Sequence, residues 1–230
     1  MIQLNNLQKE YKGKLVLDIP SLTLEKGELL GLVGNNGAGK TTLLSLVLDL
    51  IQPSQGEVLS NGIGVAMSEH WKVYTAAYLD ENFLITHLTP MEYLRFVGRL
   101  HDLNKADVEA FLEREKGFMA EDLLYGTTMI RDLSKGNKVK VGILSVLLSS
   151  PALLVLDEPY VNLDPSSQAW LVKRLKKANE EGTTVLLSSH DLNHVAKLST
   201  RIVLLEEGKV VEDMQTDDHL LDRLEQYFNV

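Results

Sequence analysis

The sequence of 230 residues contains no cysteine. This absence excludes disulfide bridges, thiolate metal sites and cysteine nucleophiles. Long apolar runs are also missing, and none approaches the roughly 18–20 residues that a membrane-spanning helix needs. The first residues lack the basic and apolar regions of a signal peptide. We therefore expect a cytoplasmic chain that reaches a membrane only through another protein.

Positive charge is scarce relative to negative charge. The chain has 23 Lys and Arg against 32 Asp and Glu, which gives a formal net charge of −9. Nucleic-acid backbones are bound mainly through an excess of Lys and Arg, so this balance argues against DNA or RNA as the main partner. The length fits one compact domain with an insertion, or one domain with a small satellite domain.

Strand and helix patterns alternate at both ends of the chain. Residues 29–33 and 153–156 are continuous apolar runs, which are typical of strands buried on both faces. Between about 85 and 150 the capping residues Thr89, Asn104 and Ser134 each precede a helical pattern. The sequence therefore predicts an α/β core with a mostly parallel sheet and an all-helical insertion. The predicted segments are 1–84 and 151–230 for the core and 85–150 for the insertion.

A phosphate-binding loop is the most specific local motif. Residues 34–41 match the pattern G-x-x-x-x-G-K-[ST] and lie between a predicted buried strand and a predicted helix. The glycines allow backbone N–H groups to converge on one anion, to which the helix dipole adds. Lys40 is expected to bind the β- and γ-phosphates, and the Thr41 hydroxyl to ligate Mg²⁺. The predicted nucleotide contacts are Gly34, Asn35, Asn36, Gly37, Ala38, Gly39, Lys40, Thr41 and Thr42.

Two acids follow the apolar run 153–156. Asp157, at the end of a buried strand, is placed to hold Mg²⁺, and Glu158 to act on the attacking water as general base or to orient it. Taken alone, two acids after a core strand are also compatible with an ordinary surface turn. The phosphate loop elsewhere in the chain favours the catalytic interpretation.

These motifs, in this order, resemble the nucleotide-binding subunit of ABC transporters over about residues 2–215. Residues 133–137 read Leu-Ser-Lys-Gly-Asn and resemble the family signature LSGGQ, and residues 162–164 resemble the D-loop. His190 resembles the switch histidine, and Tyr11 the aromatic residue that stacks on adenine.

The resemblance implies a P-loop NTPase core with an N-terminal antiparallel β subdomain, and ATP and Mg²⁺ as cofactors. It implies Glu158 and His190 as catalytic residues, and further nucleotide contacts from Tyr11, Asp164 and, from the opposite subunit, Ser134 and Gly136. The chain departs from the family at the Q-loop, because residues 78–81 read Tyr-Leu-Asp-Glu and contain no Gln. Either Asp80 or Glu81 must replace it as a metal contact.

The resemblance also implies partners. Two ATPase subunits, identical or different, would enclose two Mg-ATP molecules. They would drive transport through a separate integral membrane subunit. That subunit would hold both ATPase subunits on the inner face of the cell membrane. The membrane subunit is expected to dock at 79–100, with Phe83, Leu84 and Ile85 as exposed apolar contacts. The alternative is that these three residues pack inside the helical block.

Three interpretations of function remain open. A transporter ATPase is the leading one, and the single cassette favours an exporter-type subunit. The second is a non-transport relative in translation, chromosome handling or iron–sulfur assembly. The single phosphate loop argues against the translation factors, and the lack of sustained heptads argues against the chromosome-handling relatives. The third is a regulatory module without turnover, against which Glu158 and His190 argue.

Overall fold

The computed structural model describes residues 1–216. These residues form ten strands, β1 (Ile2–Tyr11), β2 (Lys14–Leu24), β3 (Leu29–Val33), β4 (Gln55–Ser60), β5 (Ile63–Gly64), β6 (Thr75–Tyr78), β7 (Leu153–Asp157), β8 (Thr184–Ser189), β9 (Arg201–Glu206) and β10 (Lys209–Gln215). The helices are α1 (Lys40–Val47), α2 (Pro90–Leu100), α3 (Lys105–Arg114), α4 (Glu121–Leu124), α5 (Lys135–Leu148), α6 (Pro165–Glu180) and α7 (Leu192–Leu198).

The strands form two sheets. The larger sheet has the order β10-β9-β3-β8-β7-β6, and all its neighbours are parallel except β10, which runs antiparallel to β9. The smaller sheet is antiparallel, with the order β2-β1-β4-β5. The predicted mostly parallel sheet and the N-terminal antiparallel β subdomain are therefore confirmed.

The central strands of the larger sheet are buried on both faces. Every residue of β3 and β7 is buried, and their side chains alternate between two apolar clusters. Leu154 and Leu156 pack with α2, α5 and α6, whereas Leu153 and Val155 pack with α1 and the smaller sheet. Complete burial of one such side chain stabilises the fold by about 1.5–3 kcal/mol. Because each strand buries several of them, β3 and β7 hold the sheet edge that carries the site in place.

The predicted caps begin three of the helices. Thr89 and Glu92 form a reciprocal capping box at α2, and Asn104 and Asp107 form one at α3. Ser134 accepts from the Asn137 backbone N–H at the start of α5. Each cap satisfies backbone donors that the first helical turn leaves unpaired.

Strand β6 is absent from the sequence-based prediction. Its four residues carry no clear apolar alternation, and its partner residues in β7 lie 78 positions further along the chain. The predicted end of the core segment, residues 217–230, lies outside the described residues. Within 1–216, no helix combines the length and apolarity needed to cross a membrane.

Candidate functional site

The predicted catalytic residues lie at the carboxyl ends of the parallel strands. β3 leads into the phosphate loop, β7 ends at Asp157, and β8 ends immediately before His190. Parallel strands present their carboxyl ends at one edge of the sheet, where this fold class binds its ligands. A cleft of about 490 Å³ opens there, lined by Asn36, Tyr78, Leu79, Asp80, Glu81, Asn82, Lys135, Val139, Asp157, Glu158, Val161, Asn162 and His190.

The phosphate loop is shaped to present backbone donors. Residues 35–37 are exposed, while Lys40 at the start of α1 is buried and donates to the Gly34 carbonyl oxygen at 2.6 Å. Gly39 precedes the helix with φ of 106°, a conformation that is strained for residues other than glycine. The loop is also fixed from outside, since the Gly208 N–H donates to the Ala38 carbonyl at 2.9 Å. This geometry suits a bound phosphate.

Thr41 and Asp157 meet in space although 116 positions separate them. The Thr41 hydroxyl donates to Asp157 Oδ2 at 2.6 Å. The buried Ser188 hydroxyl donates to the other carboxylate oxygen, Oδ1. Hydroxyl and carboxylate oxygens are ligands that Mg²⁺ prefers, and here they lie beside the phosphate loop. The donor set therefore fits a nucleotide-bound Mg²⁺.

Glu158 is held between two functional side chains. Its Oε1 lies 3.2 Å from Lys40 Nζ, and its Oε2 lies 2.8 Å from His190 Nδ1. Its backbone has φ of 46°, in the left-handed region that non-glycine residues seldom adopt. Its N–H is shared between the Ser188 carbonyl oxygen at 3.2 Å and the Ser188 hydroxyl at 3.1 Å. The structure thus brings Lys40, Glu158 and His190 together, as the catalytic interpretation requires.

The two acids of the Q-loop segment are used differently. The Asp80 carboxylate accepts from the Asn82 N–H at 2.6 Å and caps the turn Glu81–Phe83. Glu81 Oε2 lies 4.0 Å from Lys138 Nζ on α5. Burial, and then the charge of Glu81, raise the pKa of the Tyr78 phenol above its ordinary value. Of the two acids, Glu81 is the one whose carboxylate is not used to cap the turn.

Four further predicted nucleotide contacts belong neither to the phosphate loop nor to the cleft lining. Tyr11 is about half exposed at the end of β1, with Lys9 Nζ 5.0 Å from its ring centroid. Ser134 is exposed at the start of α5, and Gly136 packs against the Asn162 carbonyl. Asp164 caps α6 through the Ser167 N–H and hydroxyl, the Ser166 hydroxyl and Lys140, which hold the pKa of its carboxyl well below its usual range.

The predicted docking contacts need a correction. Phe83 is exposed, but Leu84 is buried at 7% and Ile85 is partly buried, and both pack within the apolar cluster of the helical segment. The turn capped by Asp80 ends at Phe83, and the backbone at Leu84 is extended. Successive side chains of extended backbone lie on opposite sides of the chain, so Leu84 points inward. Phe83 lines an apolar groove of about 210 Å³ with Leu48, Leu50, Trp71, Lys72, Thr75, Ala77 and Leu79.

Residues 17–161, more than half of the chain, match the family model described as ABC transporter. The ATP-binding protein NatA of Bacillus subtilis (strain 168) is 32% identical over 219 residues, covering 92% of this chain and 88% of NatA. The chain belongs to the ABC transporter ATP-binding family. The SkfA peptide export ATP-binding protein SkfE of the same organism is 31% identical, covering 93% of this chain and 89% of its own length.

Solved structures agree with this cassette assignment. An ATP-binding subunit of an ABC transporter superposes with a TM-score of 0.82 at 28% identity, covering 99% of this chain and 93% of that one. The dimeric bacterial cassette MJ0796 superposes with a TM-score of 0.83 at 25% identity, covering 94% and 99%. The chain is an ATP-binding cassette ATPase.

The structure of this cassette adds two residues to the predicted site, Ser188 and Lys138. Ser188 contacts both Asp157 and Glu158, and Lys138 is paired with Glu81. Two polar residues, Ser188 and Ser189, close the apolar strand before His190, which is a weak signal for Ser188. No local signal marks Lys138, because its partner lies 57 positions away.

Proposed function

We propose that this cassette hydrolyses Mg-ATP as one subunit of a dimer and drives transport through a separate membrane subunit on the inner face of the cell membrane. The observation that carries the proposal is the convergence of Asp157, Glu158 and His190 on one cleft of an ABC ATPase, with Lys40 in contact with Glu158. The relatives named above as transporter ATP-binding proteins support the transport role. The name of SkfE favours export as the direction.

The phosphates of ATP would bind the N–H groups of residues 34–42 and the Lys40 ammonium. Lys40 must then exchange its contact with Glu158 for the β- and γ-phosphates. Thr41 and Asp157 would hold Mg²⁺, which when bound neutralises charge on the phosphates. Glu81, which also lines the cleft, would complete the site, with Lys138 balancing its charge.

Glu158 acts on the attacking water in this proposal. Once Lys40 has moved to the phosphates, Oε1 is free to accept a proton from water, while Oε2 stays hydrogen-bonded to His190. The His190 ring is half exposed at the cleft and would contact the γ-phosphate. Each group therefore has one task in the proposed reaction.

The signature residues support a dimer. Ser134 is exposed and does not line the cleft of its own chain, and neither does Gly136. Both would close the nucleotide site of a second subunit, which is either identical or a paralogue. Asp164, at the end of the D-loop, would face the same interface. On this proposal residues 1–84 and 151–230 form the ATP-binding core and residues 85–150 the helical insertion.

The dimer is tested with Glu158→Gln, which retains the shape of the side chain and removes its charge. We expect this variant to bind ATP, to lose at least 99% of its hydrolysis, and to sediment as a dimer with Mg-ATP. The matched control is Glu158→Gln combined with Ser134→Arg, which places a bulky cation on the signature surface and should stay monomeric. A Glu158→Gln protein that remains monomeric at micromolar concentration with saturating ATP contradicts the proposal.

The membrane subunit is proposed to dock in the groove beside Phe83. An exposed apolar groove next to the ATP cleft suits an apolar helix or loop of a partner. The test compares Phe83→Glu with Ile63→Glu, which adds the same charge at an exposed apolar residue of β5 outside both the groove and the segment 79–100. Membranes of the native host should retain wild type and Ile63→Glu and lose Phe83→Glu. Equal retention of both variants would place the docking surface elsewhere.

A further inference from the structure

The hydroxyl of Ser188 lies between the two acids that carry the chemistry. Ser188 occupies β8, where it pairs in register with Asp157 of β7, and it is fully buried. Its Oγ contacts Asp157 Oδ1 on one side and lies 3.1 Å from the Glu158 backbone nitrogen on the other. One buried atom therefore touches both residues of the acidic pair.

The chemistry of these neighbours fixes the direction of each hydrogen bond. The Glu158 N–H can only donate, so the Ser188 oxygen accepts from it. An ionised Asp157 carboxylate can only accept, so the Ser188 proton points at Oδ1. The remaining oxygen, Oδ2, is the one that meets the Thr41 hydroxyl. Ser188 thereby determines which oxygen of Asp157 faces the metal position.

The same hydroxyl supports an uncommon backbone conformation. Glu158 has φ of 46°, which costs a non-glycine residue free energy that its surroundings must offset. Among the described residues, the only acceptors of the Glu158 N–H are the carbonyl oxygen and the hydroxyl of Ser188. This conformation directs the side chain toward Lys40 and His190.

We propose that Ser188 is a positioning residue for ATP hydrolysis, which sets the relative orientation of Asp157 and Glu158. The inference rests on the proposed roles of these two acids. Ser188 is fully buried and does not line the cleft, so it acts through the acids. Groups that orient metal ligands in this way commonly change metal affinity or activity by about 10–100-fold when they are removed.

The test compares Ser188→Ala, Ser188→Thr and the control Ser145→Ala. Ser145 is a buried serine on α5 whose hydroxyl donates to the Gly142 carbonyl at 2.7 Å, so its truncation is chemically matched but distant from the acids. For Ser188→Ala we expect kcat to fall at least tenfold while KM for ATP stays within threefold. Ser188→Thr, which retains the hydroxyl, should recover most of kcat, and Ser145→Ala should behave as wild type.

A second measurement does not depend on turnover. Mn²⁺ titration followed by electron paramagnetic resonance, with a non-hydrolysable ATP analogue bound, should show at least fivefold weaker metal binding in Ser188→Ala. Binding of the same analogue in EDTA should be unchanged, since the phosphate loop is intact. A kcat within twofold of wild type, equal losses in the Ala and Thr variants, or an equal loss of metal-free binding each overturns the proposal. Wild type that does not hydrolyse ATP would instead overturn the proposed function, leaving the Mn²⁺ comparison to decide the role of Ser188.

Discussion

The contact between Lys40 and Glu158 should oppose ATP binding, and its removal should strengthen it. Lys40 Nζ lies 3.2 Å from Glu158 Oε1, and both groups are mostly removed from solvent. The ammonium must leave this carboxylate to reach the β- and γ-phosphates. In addition, the carboxylate repels the incoming negative charge. Glu158→Gln removes both effects while leaving the length of the side chain unchanged.

The magnitude follows from the distance and the burial. Two unit charges 3.2 Å apart attract by roughly 5 kcal/mol at an effective dielectric constant of about 20. Most of this attraction is regained when Lys40 binds phosphate, so we take about 1–2 kcal/mol as the net penalty that Glu158 imposes on ATP binding. That range corresponds to a dissociation constant roughly 5–30-fold lower in Glu158→Gln.

Calorimetry with a non-hydrolysable ATP analogue separates this effect from slowed turnover. The measurement is made at a protein concentration at which the cassette is monomeric, so that dimer formation does not add to the measured affinity for ATP. Glu81→Gln is the matched control, because it removes a carboxylate from the same cleft that is paired with Lys138 and not with Lys40. A dissociation constant within twofold of wild type in Glu158→Gln, or an equal gain in Glu81→Gln, would refute the reasoning.

Three further outcomes are expected. Tyr11→Ala should weaken ATP binding about fivefold through lost stacking, measured by titration; unchanged affinity would remove Tyr11 from the site. Gly136→Ala should lose ATP-driven dimerisation in sedimentation while the monomer still binds ATP, because the added Cβ would lie 2.5 Å from the Asn162 carbonyl oxygen. Asp164 has a lowered pKa in the folded state, so its stabilisation is complete above its ordinary pKa of 3.8 and is lost as the pH falls further. Urea unfolding at decreasing pH should therefore show a smaller acid loss in Asp164→Asn than in wild type; equal losses would contradict this assignment.

The parts of the fold that the sequence predicts are those with local signals. The phosphate loop, the caps at Thr89, Asn104 and Ser134, and the apolar runs of β3 and β7 each depend on a few adjacent residues. Strand β6 has no such signal, since its partner in the sheet is distant in the chain.

The sequence indicates which residues belong to the candidate site better than it indicates how they are arranged in space. Motif order named Lys40, Asp157, Glu158 and His190, but it did not show that Ser188 contacts both acids, since that contact depends on the register of β7 against β8. The choice between Asp80 and Glu81 did have a local signal. An Asp side chain commonly forms a turn by accepting a hydrogen bond from the backbone N–H two residues later, as Asp80 does from Asn82.

That turn also connects the two halves of the proposed function. Glu81 lines the ATP cleft and Phe83 lines the docking groove, and both belong to the single turn Glu81–Phe83 that Asp80 caps. On the proposed function Glu81 would contact the metal and Phe83 the membrane partner, so a change in the backbone of this turn would reach both sites. Lys138 pairs α5, the helix that the signature begins, with Glu81 of the same turn. The turn Glu81–Phe83 is therefore the segment through which the proposed nucleotide and membrane sites would be coupled.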